Sequence, residues 1–163
     1  MISDAEHLFL RNSFPTSMSR ELYSMMIGKE LGDGVARRVF EYVPNASDTV
    51  IKIEDGAGSF QNVLEWTIWT DLAETAWGKR WLAPCIRISP CGVYLMQWRT
   101  QPPGPTFKWP KKLPWVFTDR KKQNFGIFKG RLVCHDYGTL GIGFTKGAPL
   151  GRMSAAEWWD AKE

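Results

Sequence analysis

Residues 28–54 read GKELGDGVARRVFEYVPNASDTVIKIE, and this stretch decides the fold. Two runs in it, VFEYV over 39–43 and TVIKIE over 49–54, are rich in β-branched and aromatic residues and alternate with period two. Both read as strands. PNASD at 44–48 breaks the chain between them. Gly32 and Gly34 bracket Asp33 with strand on both sides, so they sit at a hairpin tip. Backbone N–H groups there can approach phosphate oxygens without a Cβ in the way. A dinucleotide-binding βαβ unit is the rival reading, and Glu54 does lie 20 residues past Gly34. That unit needs a helix after the glycines. A strand at 39–43 rules it out. The G-x-G triplet recurs at Gly56/Gly58 and Gly141/Gly143, so its position between strands is what carries weight. The sequence holds no G-x-x-x-x-G-K-[ST].

Outward from this stretch, residues 17–27 suit a helix after Pro15. Ser59 is placed to cap a helix over 60–77, which is apolar on most sides and therefore expected between two layers. Strands are expected at 85–89 and 92–98, split by a turn at Pro90-Cys91. Residues 100–114 hold five of the ten prolines and read as a connector, since proline fixes φ and removes backbone donors. Beyond it, FGIF (125–128), Lys129-Gly130 and RLVC (131–134) read as a hairpin. Ser154 and Glu157 form a capping box that predicts a last short helix. The strand–strand–strand–helix–strand–strand order before Pro102 predicts an α+β fold. Its centre is a five-stranded antiparallel sheet carrying one main helix.

A chain of 163 residues suits one domain with one core. With 44% hydrophobic and 23% charged residues it is neither disordered, collagenous nor coiled-coil. No apolar run approaches the ~20 residues of a membrane-spanning helix. Acids at Asp4 and Glu6 stand where a secretory leader carries basic residues, so no leader is expected. Cys85, Cys91 and Cys134 make an odd count without framework spacing, which predicts reduced thiols and a cytoplasmic location. Cys134-His135 lacks further ligands for a zinc site. The net charge of +4 is uneven: residues 108–131 carry eight basic residues against the single acid Asp119. Such a stripe favours a polyanionic partner, whether nucleotide phosphates, nucleic acid or an acidic protein face. A solvated loop is the plain alternative.

Three places hold candidate chemistry. Lys52 stands among Val50, Ile51 and Ile53, where a lysine is ordinarily the solvent-facing half of an alternation. The functional alternative is a point charge for phosphates, held by a carboxylate. Glu65 in the following helix, or Glu74 further along, could supply it. Asp119 and Asn124 form D-x-x-x-x-N, and Asp136-Tyr137-Gly138 follows across the hairpin. A carboxylate and an amide at the two ends of a hairpin can converge on one metal ion with the hard oxygens magnesium needs. Lys121 adds a charge that could neutralise a transferring phosphoryl group.

In order along the chain, Leu31-Gly32-Asp33-Gly34 with Val39, Val50-Ile51-Lys52, Glu65, Leu95-Met96-Gln97-Trp98, Asp119 with Lys121 and Asn124, and Asp136-Tyr137-Gly138 resemble the protein-kinase signature set. The resemblance spans roughly residues 28–140 and looks closest to small, truncated kinase-like proteins of bacteriophages. It implies a single kinase-like domain, with an N-lobe over 1–99, the connector over 100–114 and a much reduced C-lobe over 115–163. It implies ATP under the loop of Gly32 and Gly34, with Val39 against the adenine and Lys52, paired to Glu65, on the phosphates. Met96 would stand as gatekeeper before a hinge that includes Gln97 and Trp98. Asp119 would be the base, with Asn124 and Asp136 as magnesium ligands. A phage origin would place the protein in the host cytoplasm.

The sequence also departs from that set. Arg37 stands at the third glycine of the loop, and Phe117-Thr118 precede Asp119 where His and Arg are usual. Two classes of function follow. One is a minimal ATP- and magnesium-dependent kinase acting on a protein hydroxyl, its own included. The other is a kinase-shaped pseudoenzyme that acts by binding a host or nucleic-acid-associated partner. Nine tryptophans fit an interface or a well-filled core. Trp109 and Trp115 could stack bases if the basic stripe binds nucleic acid.

Overall fold

The computed structural model describes residues 16–54, 59–142 and 149–160. Its centre is one antiparallel sheet of five strands: β1 (Ile27–Asp33), β2 (Arg37–Tyr42), β3 (Thr49–Glu54), β4 (Cys85–Ile88) and β5 (Tyr94–Trp98), in the order β1-β2-β3-β5-β4. The expected α+β class and sheet are therefore present. Register places Val39 opposite Lys52 and Lys52 opposite Leu95. Directly opposed residues share a face. Val39, Val50, Lys52, Leu95 and Gln97 thus stand on one side. Phe40, Ile51, Ile53 and Met96 stand on the other and pack together there.

Helix α1 (Thr16–Met26) precedes the sheet, close to the expected span. The expected single helix over 60–77 is two: α2 (Gln61–Leu72) and α3 (Ala76–Trp81). Thr75 breaks the run because its hydroxyl accepts the Gly78 N–H at 2.9 Å, a side-chain cap that starts a new helix. A Cβ at Gly78 would run into the Leu72 carbonyl, so the glycine permits the tight junction. Ser59 does not cap α2. Phe60 holds the N-cap position in the left-handed region at φ 52°, and the Glu54 carboxylate accepts the Asn62 N–H at 2.7 Å. The buried stripe of α2 is Asn62, Glu65, Ile68 and Leu72, so its first two turns bury polar groups while Val63 and Leu64 stay half-exposed.

The second half is built of short pairs. The hairpin β7 (Phe125–Phe128) and β8 (Arg131–Cys134) is present as expected. Lys129 at φ 48° and Gly130 at φ 76° form the tip, both left-handed as a two-residue turn of this twist requires. The helix expected at Ser154–Glu157 is replaced by β9 (Met153–Ala155), which pairs with β6 (Lys112–Pro114). Ser154 gives its oxygen to Arg120 at 2.8 Å, and the Trp158 indole N–H reaches Pro110 O at 2.8 Å. Those tertiary partners hold the chain extended, and one turn of helix is too short to compete.

The two halves share one core. Ile68, Leu72, Leu82 and Leu95 from the sheet side pack with Leu113, Phe117, Phe125, Leu132 and Tyr137 from the second half. Phe117 stacks on Trp77 with centroids 5.7 Å apart and meets Phe125 edge-on at 5.5 Å. Trp158 bridges Phe125 at 5.0 Å and Trp109 at 4.5 Å. Seven of the nine tryptophans are partly buried and packed against the core, and Trp98 and Trp159 are exposed. Among the described residues no helix is long and apolar enough to cross a membrane.

Candidate functional site

Between the face of the sheet that carries Lys52 and the second half lies a cleft of about 940 Å³. That is at the upper end of the ~300–1,000 Å³ typical of ligand sites. Gly32, Gly34, Val39, Lys52, Gln97, Trp98, Asp119, Lys121, Asn124 and Asp136 all line it, although up to 104 residues separate the first from the last. A Cβ at Gly32 would meet nothing within 4 Å, so the protein's own packing does not use the room that glycine leaves.

Lys52 is not the solvent-facing half of its strand. It is 3% exposed, and its Nζ donates to Glu65 Oε1 at 2.6 Å and to the His135 carbonyl. Of the two carboxylates proposed for it, Glu65 is the partner. Glu74 lies past the end of α2 and pairs with Lys79 at the surface. Glu65 is fully buried and accepts from four donors: Lys52, Gln97 Nε2 at 2.9 Å, Arg37 Nη2 at 2.5 Å and the Tyr137 N–H at 3.3 Å. A buried carboxylate is tolerable only when it is paired and hydrogen-bonded in this way.

Arg37 is the residue the sequence marked only as a departure. It is 5% exposed, and the same Nη2 that meets Glu65 also meets Asp136 Oδ1 at 2.5 Å. Its Nη1 donates to Asn62 Oδ1 at 3.0 Å. Two cations and two carboxylates thus form one balanced cluster. Burial alone would raise the Asp136 carboxyl; the charges of Arg37 and Lys52 outweigh it and hold the pKa below the usual range. Two signals could have found Arg37 and Asn62. Period two puts Arg37 on the face of Val39, and Asn62 lies one helical turn before Glu65.

On the opposite side, Asn124 Nδ2 donates to Asp119 Oδ2 at 2.8 Å, and the Lys121 N–H reaches Asp119 Oδ1 at 3.3 Å. Because the Asn124 amide nitrogen is spent on Asp119, its oxygen is the atom left for a cation. Asp136 keeps 40% of its side chain exposed toward the cleft. A carboxylate oxygen and an amide oxygen are the hard ligands that magnesium takes beside water and phosphate. Lys121 lines the cleft, but its ammonium lies over the Trp159 ring, 5.7 Å from the centroid.

Met96 does not join these residues. It packs with Phe40, Ile51 and Ile53 on the far face of the sheet, because strand alternation turns it away from Lys52. Gln97 takes the inward position and is 1% exposed. His135 is held neutral between two partners. Its Nε2 donates to Gln123 O at 2.7 Å and its Nδ1 accepts from Thr100 Oγ1 at 2.7 Å. Burial, with Lys52 nearby, lowers its pKa to about 4. Burial also pushes the Cys85 thiol up to about 12. In the basic stripe, Arg120 is engaged with Ser154 and Lys122 pairs with Asp160 at 2.8 Å. Trp109 lies in the ring cluster with Phe107 and Trp158.

Comparison of the chain with family models, with curated proteins and with solved structures gives no match.

Proposed function

We propose that the protein is a minimal kinase-like phosphotransferase that binds ATP with magnesium in this cleft and transfers a phosphoryl group to a protein hydroxyl, its own included. One observation carries the reading. A buried Lys52–Glu65 pair, clustered with Asp136, stands on one side of a cleft that Asn124, Asp119 and a glycine hairpin tip also line. Each residue has work suited to its chemistry. Lys52 spends two donors on the protein and has a third for a phosphate oxygen. Gly32 leaves room for backbone N–H groups to meet phosphate. Val39 and Val50 offer an apolar surface to a base. Asp119, oriented by Asn124, is placed to accept a hydroxyl proton. Magnesium, when bound, would offset charge on the phosphate oxygens. The test is incubation with γ-labelled ATP and magnesium. Label on the protein, lost in Asp136→Asn and Asp119→Asn, is expected. Only Asp119→Asn should keep nucleotide affinity, because a base acts on the acceptor. Absence of label together with no thermal shift at millimolar nucleotide overturns the reading.

A second reading, the kinase-shaped interaction protein, is favoured by one specific contact: Arg37 occupies Asp136. It expects Asp119→Asn and Asp136→Asn to retain the protein's full effect on the cells that express it.

A further inference from the structure

We propose that Arg37 is a built-in counter-ion that competes with the metal for Asp136, so that metal binding in the cleft requires the Arg37–Asp136 pair to open. The inference rests on the nucleotide reading for the identity of its ligand. Its geometry stands independently. A kinase-like glycine loop would carry a glycine at this position, and here it carries the longest cationic side chain. That side chain is buried, and one guanidinium nitrogen sits 2.5 Å from an oxygen of Asp136.

Three features tie the arrangement to binding. First, the cluster is already neutral, with Arg37 and Lys52 against Glu65 and Asp136. A divalent ion on Asp136 would stand beside a guanidinium that is itself buried, and the two like charges would repel. The two cations therefore exclude one another on that carboxylate. Second, Arg37 has somewhere else to stay. Its contacts to Glu65 and Asn62 survive if only the Asp136 bond breaks. Third, Arg37 is fixed to the loop that would meet phosphate. The Gly34 N–H donates to the Arg37 carbonyl at 3.0 Å, closing the hairpin tip around Val35 and Ala36. A loop drawn onto phosphates carries the base of Arg37 with it. Asp136 is then freed for the metal at the moment the nucleotide arrives.

The experiment measures metal binding directly, with manganese alone and with manganese plus a non-hydrolysable ATP analogue, by the loss of the free-ion paramagnetic resonance signal. Arg37→Gln is expected to bind manganese alone at least tenfold more tightly than the wild type. Arg37→Lys, which keeps the charge, should stay within about threefold of the wild type. The analogue should tighten manganese binding strongly in the wild type and much less in Arg37→Gln, since the competitor is already gone. A folded Arg37→Gln with unchanged or weaker manganese affinity overturns the proposal. Should that variant not fold, the guanidinium NMR signals of wild-type Arg37 decide instead. A shift on saturation with magnesium and the analogue supports the exchange, and no shift overturns it. The outcomes separate this inference from the reading beneath it. Tighter manganese binding in Arg37→Gln without any analogue binding keeps the counter-ion and removes the nucleotide. Normal analogue binding with no effect of Arg37→Gln keeps the nucleotide and removes the counter-ion.

Discussion

The sheet half and the half that follows the prolines are held together by different means. Residues 27–98 hold five antiparallel strands joined by backbone hydrogen bonds, in unbroken register across β2, β3 and β5 and with register shifts where β1 and β4 join at the edges. Among the described residues of 100–160, strands are only three or four residues long and are accompanied by short 3-10 turns. A chain of rings ties them together and to the first half: Trp109 meets Trp158, Trp158 meets Phe125, Phe125 meets Phe117, and Phe117 meets Trp77 and Trp81. Ladder pairing tolerates many side chains. A chain of ring contacts depends on each ring. The cleft lies where the two modes of construction meet, and Glu65 is the joint, because it accepts from Arg37 and Lys52 on the sheet and from the Tyr137 N–H beyond it.

The largest expected effect comes from breaking that joint. Glu65→Ala leaves two buried cations without their shared carboxylate, and losing one partner of a buried pair costs about 3–5 kcal/mol. Chemical denaturation should show this loss and a single transition, since the core is continuous. Two separated transitions would mean that the halves are independent after all. Next comes the ring chain. Trp158→Ala removes contacts to Trp109 and Phe125 and the bond to Pro110. The ring is only partly buried, so the loss is expected at about 2–4 kcal/mol, near the low end for a tryptophan. Circular dichroism should show the sheet signal largely kept while near-ultraviolet aromatic signal falls. An equal loss of both would erase the distinction drawn between the halves.

The smallest effect is a pH dependence at the seam. His135 has a native pKa of about 4, below its ordinary value of about 6.5. The unfolded chain therefore takes up a proton that the native protein refuses. Stability is unaffected above pH 6.5 and falls as pH drops from 6.5 toward 4. Asp136, with its pKa held below the usual range by Arg37 and Lys52, adds a further loss at more acid pH. His135→Gln should flatten the first part of the curve and leave the second. Denaturant midpoints from pH 4 to 8 measure it. An unchanged slope between 6.5 and 4 would assign the dependence to other groups.

Much of the sheet was legible because its signal is local. Period two in 39–43 and 49–54, the glycines between strands and the Lys129-Gly130 tip each depend on neighbours a few residues away. The departures had two causes: a local side-chain cap that the apolar pattern does not announce, and distant partners that overrode local preference. The Thr75 cap split a helix that looked continuous through 60–77. Arg120 and Pro110 drew residues 153–158 into an extended path despite the capping box. In the site, the side chains of Lys52, Glu65, Asn124 and Asp136 could be nominated from residue type and order. Met96 could not be told from Gln97, because alternation fixes two faces without saying which one the helix covers.

By itself, then, the sequence determined the strand-and-helix order of the sheet half, that its five strands form an antiparallel sheet, and the identity of most polar groups in the cleft, since hydrogen-bonding period and side-chain chemistry are properties of short segments. Only the tertiary structure decided which carboxylate Lys52 meets, which residue of β5 faces it, and that Arg37 closes on Asp136 from 99 residues away. Those choices turn on Coulomb attraction and burial, which take effect only once distant segments share one dry space.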